Sequence, residues 1–180
     1  MSKPFSEVLA KKYEPEAIKA VQRYYLAQHG RRLTDKPFGI YGADLGDEKA
    51  KILIEVEVKT DWKCGEFPFL DLRITNRKRK LLREIWTPYK QLEFWVLSDS
   101  LTRAAIVDEF VYRDAKVESI FVKTVGFESY DTFRIIPKNE IRMFVNLRKS
   151  DGGQQLLAAL NPQPKIPADA RLHEYDDYEW

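Results

Sequence analysis

The chain has 180 residues, of which 44% are hydrophobic and 32% are charged. This size and balance are typical of one soluble globular domain and exclude a wholly disordered chain. The longest apolar runs are shorter than 18 residues, so no membrane-spanning helix is expected. The single cysteine, Cys64, excludes an intrachain disulfide, and no apolar signal segment opens the chain, so we expect a cytoplasmic protein.

The net charge of +2 is unevenly distributed along the chain. Residues 1–90 carry 19 Lys or Arg against 13 Asp or Glu, a balance of +6, whereas residues 91–180 carry 11 against 15, a balance of −4. A basic first half suits a polyanionic partner such as nucleic acid, although an uneven charge alone does not identify one.

Hydrophobic spacing predicts one helix followed by a series of strands. The helix is expected over residues 14–28, with a proline in its first turn and a glycine at its exit. Strands are expected over residues 37–45 and 52–60, joined by a turn at residues 46–51. A short basic helix capped by Asn76 is expected over residues 76–85. Further extended segments are expected at residues 67–74, 91–98, 101–108, 116–124, 131–136 and 140–147.

The periodicity is lost near residue 150. Residues 151–180 contain a glycine pair and three prolines and finish in the acidic and aromatic string Glu-Tyr-Asp-Asp-Tyr-Glu-Trp. We therefore expect one domain over residues 1–150 and an irregular tail over residues 151–180. The acids and aromatic rings of the tail suit docking on a basic surface, either the protein's own groove or that of a partner.

The strand predicted over residues 52–60 has two unlike faces. Because side chains alternate along a strand, its residues divide into an apolar set, Ile52, Ile54, Val56 and Val58, and a mostly charged set, Leu53, Glu55, Glu57 and Lys59. A charged face is usual on the solvated side of an antiparallel sheet. Here a helix precedes the strand and long apolar segments follow it, so we expect a sheet covered on both faces. Asp44 ends the preceding strand and would approach the glutamates through a hairpin.

These elements resemble the PD-(D/E)xK nuclease superfamily: a helix with a glutamate, a strand that ends at Asp44, and Glu57-Val58-Lys59 on an apolar strand. The 13-residue step from Asp44 to Glu57 is similar to that of archaeal Holliday-junction resolvases in this superfamily. The resemblance covers about residues 14–85, and Ala43 stands where the motif name has proline. It implies an α/β fold, namely a restriction-endonuclease-like mixed sheet with flanking helices, here extended by extra antiparallel strands.

The resemblance also implies a site that hydrolyses phosphodiester bonds with Mg²⁺, for which Mn²⁺ substitutes. Asp44, Glu57 and the backbone carbonyl of Val58 would bind the metal, and Lys59 would orient the attacking water or stabilise charge on the phosphate. Glu14 on the helix would contribute to the metal site, although an acid in a first helical turn also suits the helix dipole.

The choice of carboxylates stays open at two positions. A hairpin centred near residues 48–50 puts Asp44 closer to Glu55 than to Glu57, unless a bulge shifts the register. We expect Glu57 as the main metal ligand and Glu55 as a further catalytic carboxylate. Asp35 is a weaker substitute for Asp44, since a long regular hairpin would bring it near Lys59.

A basic segment follows the charged strand, with six cations within eleven residues: Arg73, Arg77, Lys78, Arg79, Lys80 and Arg83. A nuclease must neutralise the phosphates next to the cleaved bond, so we expect these side chains to contact nucleic acid. A solvated charged helix is the other interpretation of the segment. The aromatic residues beside it, among them Trp62 and Phe67, are expected in the core or at its rim.

The sequence therefore predicts a metal-dependent nuclease, in first place a DNA endonuclease. A homodimer is expected, because resolvases and many restriction enzymes of this class pair subunits to cut two strands. The alternative is a non-catalytic nucleic-acid-binding module with a β-rich fold, whose charged strand is only a solvated face.

Overall fold

The computed structural model of the protein describes residues 7–39, 41–85, 88–124 and 127–148. The predicted tail over residues 151–180 lies outside the described residues. Short 3₁₀ helices lie at Asn76–Glu84 and Lys138–Glu140. The other elements, in chain order, are α1 (Glu7–His29), β1 (Thr34–Asp35), β2 (Leu45–Asp47), β3 (Ile52–Lys59), β4 (Asp71–Thr75), β5 (Gln91–Ser98), β6 (Arg103–Asp108), α2 (Glu109–Asp114), β7 (Lys116–Thr124), β8 (Phe127–Pro137) and β9 (Met143–Asn146).

The larger sheet of the described residues has six strands in the order β1-β2-β3-β5-β6-β9. β3 and β5 run parallel over eight residue pairs, from Ile52 opposite Gln91 to Lys59 opposite Ser98, and every other neighbouring pair is antiparallel. Parallel neighbours need a long crossover connection. Residues 60–90 form that crossover here and carry β4 and the first 3₁₀ helix. The fold is therefore a mixed α/β fold, as the sequence predicts.

One face of this sheet is covered by α1. Ile54 and Val56 of β3 are buried in a cluster with Ala17, Val21 and Tyr24 of the helix. The apolar set of the predicted strand thus packs as its alternation indicates. Large apolar side chains of β5 and β6 extend the same cluster, namely Trp95, Leu97 and Ile106.

The opposite face is covered by a second, three-stranded sheet in the order β4-β8-β7 and by the first 3₁₀ helix. Leu53 of β3 is fully buried in a cluster with Leu72, Ile74, Leu81 and Ile136 from these elements. The expectation of a sheet covered on both faces is confirmed. Glu55 and Glu57 share the face of Leu53, so they point toward the covering layer and are partly buried by it.

The strand predicted over residues 37–45 is wrong for most of its length. The chain turns at Pro37 and Phe38, and β2 begins only at Leu45. Two backbone conformations prevent an extended strand, because Lys36 has φ 44° and Gly39 has φ 81°. The Lys36 N–H donates to the Asp44 carbonyl at 2.8 Å, so residues 36–44 form a closed loop in front of β2.

The basic segment also differs from the prediction in its helix type and its cap. Asn76–Glu84 is a 3₁₀ helix, and the Thr75 hydroxyl, rather than Asn76, accepts from the Arg77 N–H. The sequence pattern missed α2, which Asp108 caps by accepting from the Val111 N–H at 2.9 Å. Among the described residues, the helices are too short or too polar to cross a membrane.

Candidate active site

Asp44 is held against the edge of β3. The β2–β3 ladder ends where Leu45 pairs with Ile54, so the backbone N–H of Val56 has no strand partner on that side. The Asp44 carboxylate takes the place of that partner and accepts from the Val56 N–H at 2.8 Å. The carboxyl group is thereby fixed beside Glu55, at the point where the loop of residues 36–44 meets the sheet.

The turn of the β2–β3 hairpin fixes this register. Buried Asp47 accepts from the backbone N–H groups of Lys49 and Ala50, each at 3.0 Å, and from the Tyr25 hydroxyl at 3.1 Å. Arg31 forms an ion pair with the same carboxylate at 3.0 Å. The hairpin pairs residue for residue from Leu45 to Asp47, without the bulge that would bring Glu57 opposite Asp44. Glu55 is therefore the glutamate that the register brings to Asp44.

Lys78 joins the two glutamates. It comes from the 3₁₀ helix over Asn76–Glu84, and its Nζ lies 2.8 Å from Glu55 Oε1 and 3.2 Å from Glu57 Oε2. The side chains are 18% exposed for Lys78, 13% for Glu55 and 32% for Glu57. The sequence assigned Lys78 to nucleic-acid contacts, and the structure places it in a carboxylate cluster with Asp44, Glu55 and Glu57. We call these four residues the acidic cluster.

A signal for this placement exists in the sequence. In a 3₁₀ helix, residues three apart lie above one another, so Lys78 shares a side with Leu81. Leu81 is buried in the core between the two sheets, and Lys78 must therefore point the same way. An α-helix gives the same result, since residues three apart also lie on one side of it.

Lys59, the lysine of the predicted motif, lies elsewhere on the same face. Its Nζ is 5.8 Å from the centre of the Phe69 ring, a distance suited to a cation–π contact. The Val58 side chain packs on the α1 side of the sheet. The predicted roles of Lys59 and of the Val58 carbonyl stay predictions.

Glu14 on α1 lies within electrostatic reach of the cluster. It pairs with Lys36 at 3.5 Å and contributes to the raised pKa of Asp44. Glu16, its neighbour on the helix, pairs instead with Lys19 at 2.8 Å on the exposed side. Asp35 is exposed and accepts from the Gln22 side chain.

The electrostatics of the cluster follow from burial and from the density of carboxylates. Burial first, and then the Glu55 carboxylate, raise the pKa of Asp44 to about 7, although the Val56 N–H opposes this rise. Burial alone would lower the pKa of Lys78, but the Glu57 and Glu55 carboxylates raise it above its ordinary value. Asp44 is therefore poised to bind a proton or a cation near neutral pH, whereas Lys78 stays charged.

Two carboxylate oxygens of the cluster are incompletely satisfied. Glu55 Oε2 and Glu57 Oε2 are buried and have no hydrogen-bond partner, although Glu57 Oε2 lies within ion-pair distance of Lys78. Unpaired carboxylate oxygens suit a hard divalent cation. Within the described part of the chain, no three Asp, Glu, His or Cys side chains are already arranged to hold a metal ion. The cation that lies between the glutamates is the ammonium of Lys78.

The other five cations predicted to contact nucleic acid lie on β4 and on the first 3₁₀ helix. Arg73 pairs with Asp71 at 2.9 Å, and Arg77 pairs with Asp131 at 2.6 Å. Lys80 lies 6.0 Å from the centre of the Tyr41 ring. Arg79 and Arg83 are also exposed. The exposed cations of this helix are thus carried by the same element that inserts Lys78 between the glutamates.

We compared the chain with models of known protein families, with curated proteins and with solved structures. None of the three comparisons gave a match. The relationship to PD-(D/E)xK nucleases is therefore a proposal that rests on the residues described above.

Proposed function

We propose that the protein is a divalent-metal-dependent nuclease of the PD-(D/E)xK type that hydrolyses phosphodiester bonds of nucleic acid, in first place DNA. The observation that carries this proposal is the acidic cluster on a covered face of the sheet. Three carboxylates against one ammonium leave excess negative charge away from bulk water. Such an excess is costly unless a proton or a further cation binds there.

Carboxylate oxygens are the ligand type that Mg²⁺ and Mn²⁺ prefer, so the chemistry of the cluster suits either ion. Asp44, Glu55 and Glu57 would hold the metal, with Glu14 and the Val58 carbonyl as further predicted ligands. The assignment is supported by Glu55 Oε2, which has no hydrogen-bond partner, and by Glu57 Oε2, which has only the ion pair with Lys78. When bound, such an ion polarises the phosphate and lowers the pKa of a coordinated water.

Two lysines supply positive charge at the charged face of β3: Lys59 of the strand itself and Lys78 of the 3₁₀ helix that covers it. Lys78 keeps Glu55 and Glu57 together and prevents their mutual repulsion. The Lys78 ammonium would also stabilise the negative charge that develops on the phosphate during the reaction. The PD-(D/E)xK motif predicts Lys59 for the same role. A cleavage assay with a Lys59 variant distinguishes the roles of the two lysines.

A non-catalytic nucleic-acid-binding module is the second candidate function. The ion pairs of Lys78 with both glutamates, and the hydrogen bond from Val56 to Asp44, satisfy much of the cluster without a metal. A purely structural cluster between a sheet and its covering helix has this form. The exposed cations of the 3₁₀ helix would then carry the function alone.

Two further expectations belong to the nuclease proposal. A homodimer would let two sites cut two strands, and its test is the oligomeric state in solution. A cytoplasmic location is expected because a single cysteine cannot form the intrachain disulfides that are common in secreted proteins.

Cleavage assays with matched variants test the proposal. We expect the wild-type protein to cut labelled DNA with Mg²⁺ or Mn²⁺ and to be inactive with a chelator. Asp44→Ala, Glu55→Gln and Glu57→Gln should each lower the rate by about 100-fold or more, because each removes a carboxylate that would hold the metal ion. Lys59→Ala should lower the rate by a similar factor if Lys59 acts on the phosphate, and wild-type cleavage by this variant would leave that role to Lys78.

Glu118→Gln is the control for these variants. Glu118 is a partly exposed carboxylate of β7 that pairs with Lys116 at 2.8 Å, so its loss should leave cleavage unchanged. Circular dichroism confirms that each variant is folded. Wild-type activity in Asp44→Ala, or an equal loss in Glu118→Gln, would contradict the assignment.

A further inference from the structure

Tyr41 presents an exposed aromatic ring beside the acidic cluster. Its side chain is 78% exposed, and it lies in the loop of residues 36–44, three residues before Asp44. A three-residue separation limits the distance between their Cα atoms to about 11 Å. The neighbouring aromatic of the loop, Phe38, is held instead by an edge contact with Tyr89 at 5.5 Å. The loop is therefore anchored by one ring and displays the other.

Positive charge accompanies the displayed ring. Lys80 Nζ lies 6.0 Å from the centre of the Tyr41 ring. Lys80 follows Lys78 by two residues in the same 3₁₀ helix, which is a rise of about 4 Å along the helix axis. One short helix thus places one lysine between Glu55 and Glu57 and the next at Tyr41. The aromatic ring and its lysine are therefore each joined to the acidic cluster through a short stretch of chain, Tyr41 to Asp44 and Lys80 to Lys78.

We propose that Tyr41 and Lys80 form a stacking site for an unpaired base, so that the substrate is single-stranded or locally unpaired nucleic acid. This inference rests on the proposed function and narrows its substrate. A base that is free of its partner stacks on an aromatic ring whatever its sequence, and a nearby cation neutralises the adjoining phosphate. A duplex keeps its bases stacked inside the helix and cannot present them to Tyr41. The Cα atoms of Tyr41 and Asp44 are thus at most about three stacked nucleotides apart.

Tyr130 shows why exposure alone does not make such a site. It is 71% exposed, but its ring packs against Phe121 at 5.3 Å in the second sheet. Tyr41 differs because it has a cation at its ring and an acidic cluster three residues away. Tyr130 is therefore a matched control: the same residue type, nearly as exposed, on another part of the described surface.

Binding measurements in a chelator test this site without requiring cleavage. Fluorescence anisotropy is recorded with labelled 12-nucleotide single strands, as DNA and as RNA of the same sequence, and with the corresponding DNA duplex. We expect Tyr41→Ala to weaken single-strand binding about tenfold and duplex binding less than twofold. Tyr41→Trp should keep single-strand affinity, Lys80→Ala should lower it, and Tyr130→Ala should change neither. The ratio of DNA to RNA affinity shows which strand the site prefers.

The outcomes separate this site from the nuclease proposal. Equal single-strand affinity for Tyr41→Ala and the wild type would overturn the stacking site, as would an equal loss on the duplex. Tyr41-dependent binding without any metal-dependent cleavage keeps the stacking site and overturns the nuclease. If cleavage depends on Asp44 but single-strand affinity does not depend on Tyr41, the nuclease proposal is kept and the stacking site is overturned.

Discussion

The ammonium of Lys78 offsets the electrostatic repulsion between the carboxylates of Glu55 and Glu57. Both side chains lie on a covered face, where each contacts Lys78 and Glu57 keeps about a third of its surface exposed (32%). The alternation of β3 predicts that the glutamates share a face, and the hairpin length brings Asp44 closer to Glu55. The position of Lys78 could have been predicted from its three-residue spacing to the apolar Leu81, which places both side chains on the covered side of the helix. Tyr41 was missed because the loop around it was predicted as a strand.

Removing the ammonium of Lys78 should expose the repulsion among the carboxylates. We expect Lys78→Met to lower the free energy of unfolding by about 3–5 kcal/mol, because it leaves buried charges without a partner. If the cluster binds a divalent ion, Mn²⁺ should restore part of that loss, since a bound ion stabilises the folded state. Urea unfolding of Lys78→Met with Mn²⁺ and with chelator measures both effects.

Lys80→Met is the control for this experiment, because its ammonium is exposed at the same helix. It should lose less than about 1 kcal/mol and gain no more from Mn²⁺ than the wild type. A Lys78→Met variant whose unfolding is the same with Mn²⁺ and with chelator would exclude a metal site among Asp44, Glu55 and Glu57.

The elements of the fold differ in how well the sequence predicts them. β3, β5 and β7 begin and end within one residue of their predicted bounds, because an apolar alternation or a continuous apolar run marks each of them. The loop of residues 36–44 was not predictable from its composition. Its course depends on positive φ angles at Lys36 and Gly39 and on the Lys36–Asp44 hydrogen bond, and a lysine rarely adopts that conformation. The strands of the second sheet were predicted, but the sequence does not indicate that they form a sheet of their own, because that depends on tertiary packing.

The first 3₁₀ helix should contribute the salt dependence of nucleic-acid binding through its exposed cations. Each phosphate contact adds about 0.7–0.9 to the slope of log affinity against log salt. We expect the double variant Arg79→Ala with Arg83→Ala to reduce that slope by about 1.4–1.8 units. Lys116→Ala should leave it unchanged, since Lys116 lies on β7 and pairs with Glu118. Titrations at four salt concentrations measure the slope. An unchanged slope in the double variant would show that Arg79 and Arg83 do not contact nucleic acid.

At the scale of the whole molecule, the acidic cluster lies between two layers that each have their own apolar core. One core joins α1 to the six-stranded sheet, and the other joins that sheet to the three-stranded sheet. The sequence predicts the two-sided covering, because apolar segments flank β3 on both sides along the chain. It does not show that the covering layer inserts a lysine beside the carboxylates. The stability of the molecule and the chemistry of the cluster are therefore coupled through the same buried charges.

This coupling predicts a pH dependence of stability that Asp44 controls. The pKa of Asp44 is raised to about 7 in the folded protein, whereas it is near its ordinary value of 3.8 in the unfolded chain. The folded state then binds more protons between these two values, so the free energy of unfolding falls as pH rises from about 4 to above 7. The protonated carboxyl gives its full contribution below the unfolded pKa, and this contribution is lost as pH rises through the folded pKa. The loss is at most about 4 kcal/mol.

Asp44→Asn should remove this dependence, since the amide cannot ionise and its oxygen can still accept from the Val56 N–H. In a chelator, we expect the wild type to lose more stability than Asp44→Asn between pH 5 and pH 8, and the variant to be the more stable of the two at pH 8. Urea unfolding at both pH values measures the difference, and Asp71→Asn, at an exposed ion pair with Arg73, serves as the control. Parallel stability curves for the wild type and Asp44→Asn would show that Asp44 ionises freely in the folded protein. In that case the carboxyl group would not hold a proton that a metal ion has to displace near neutral pH.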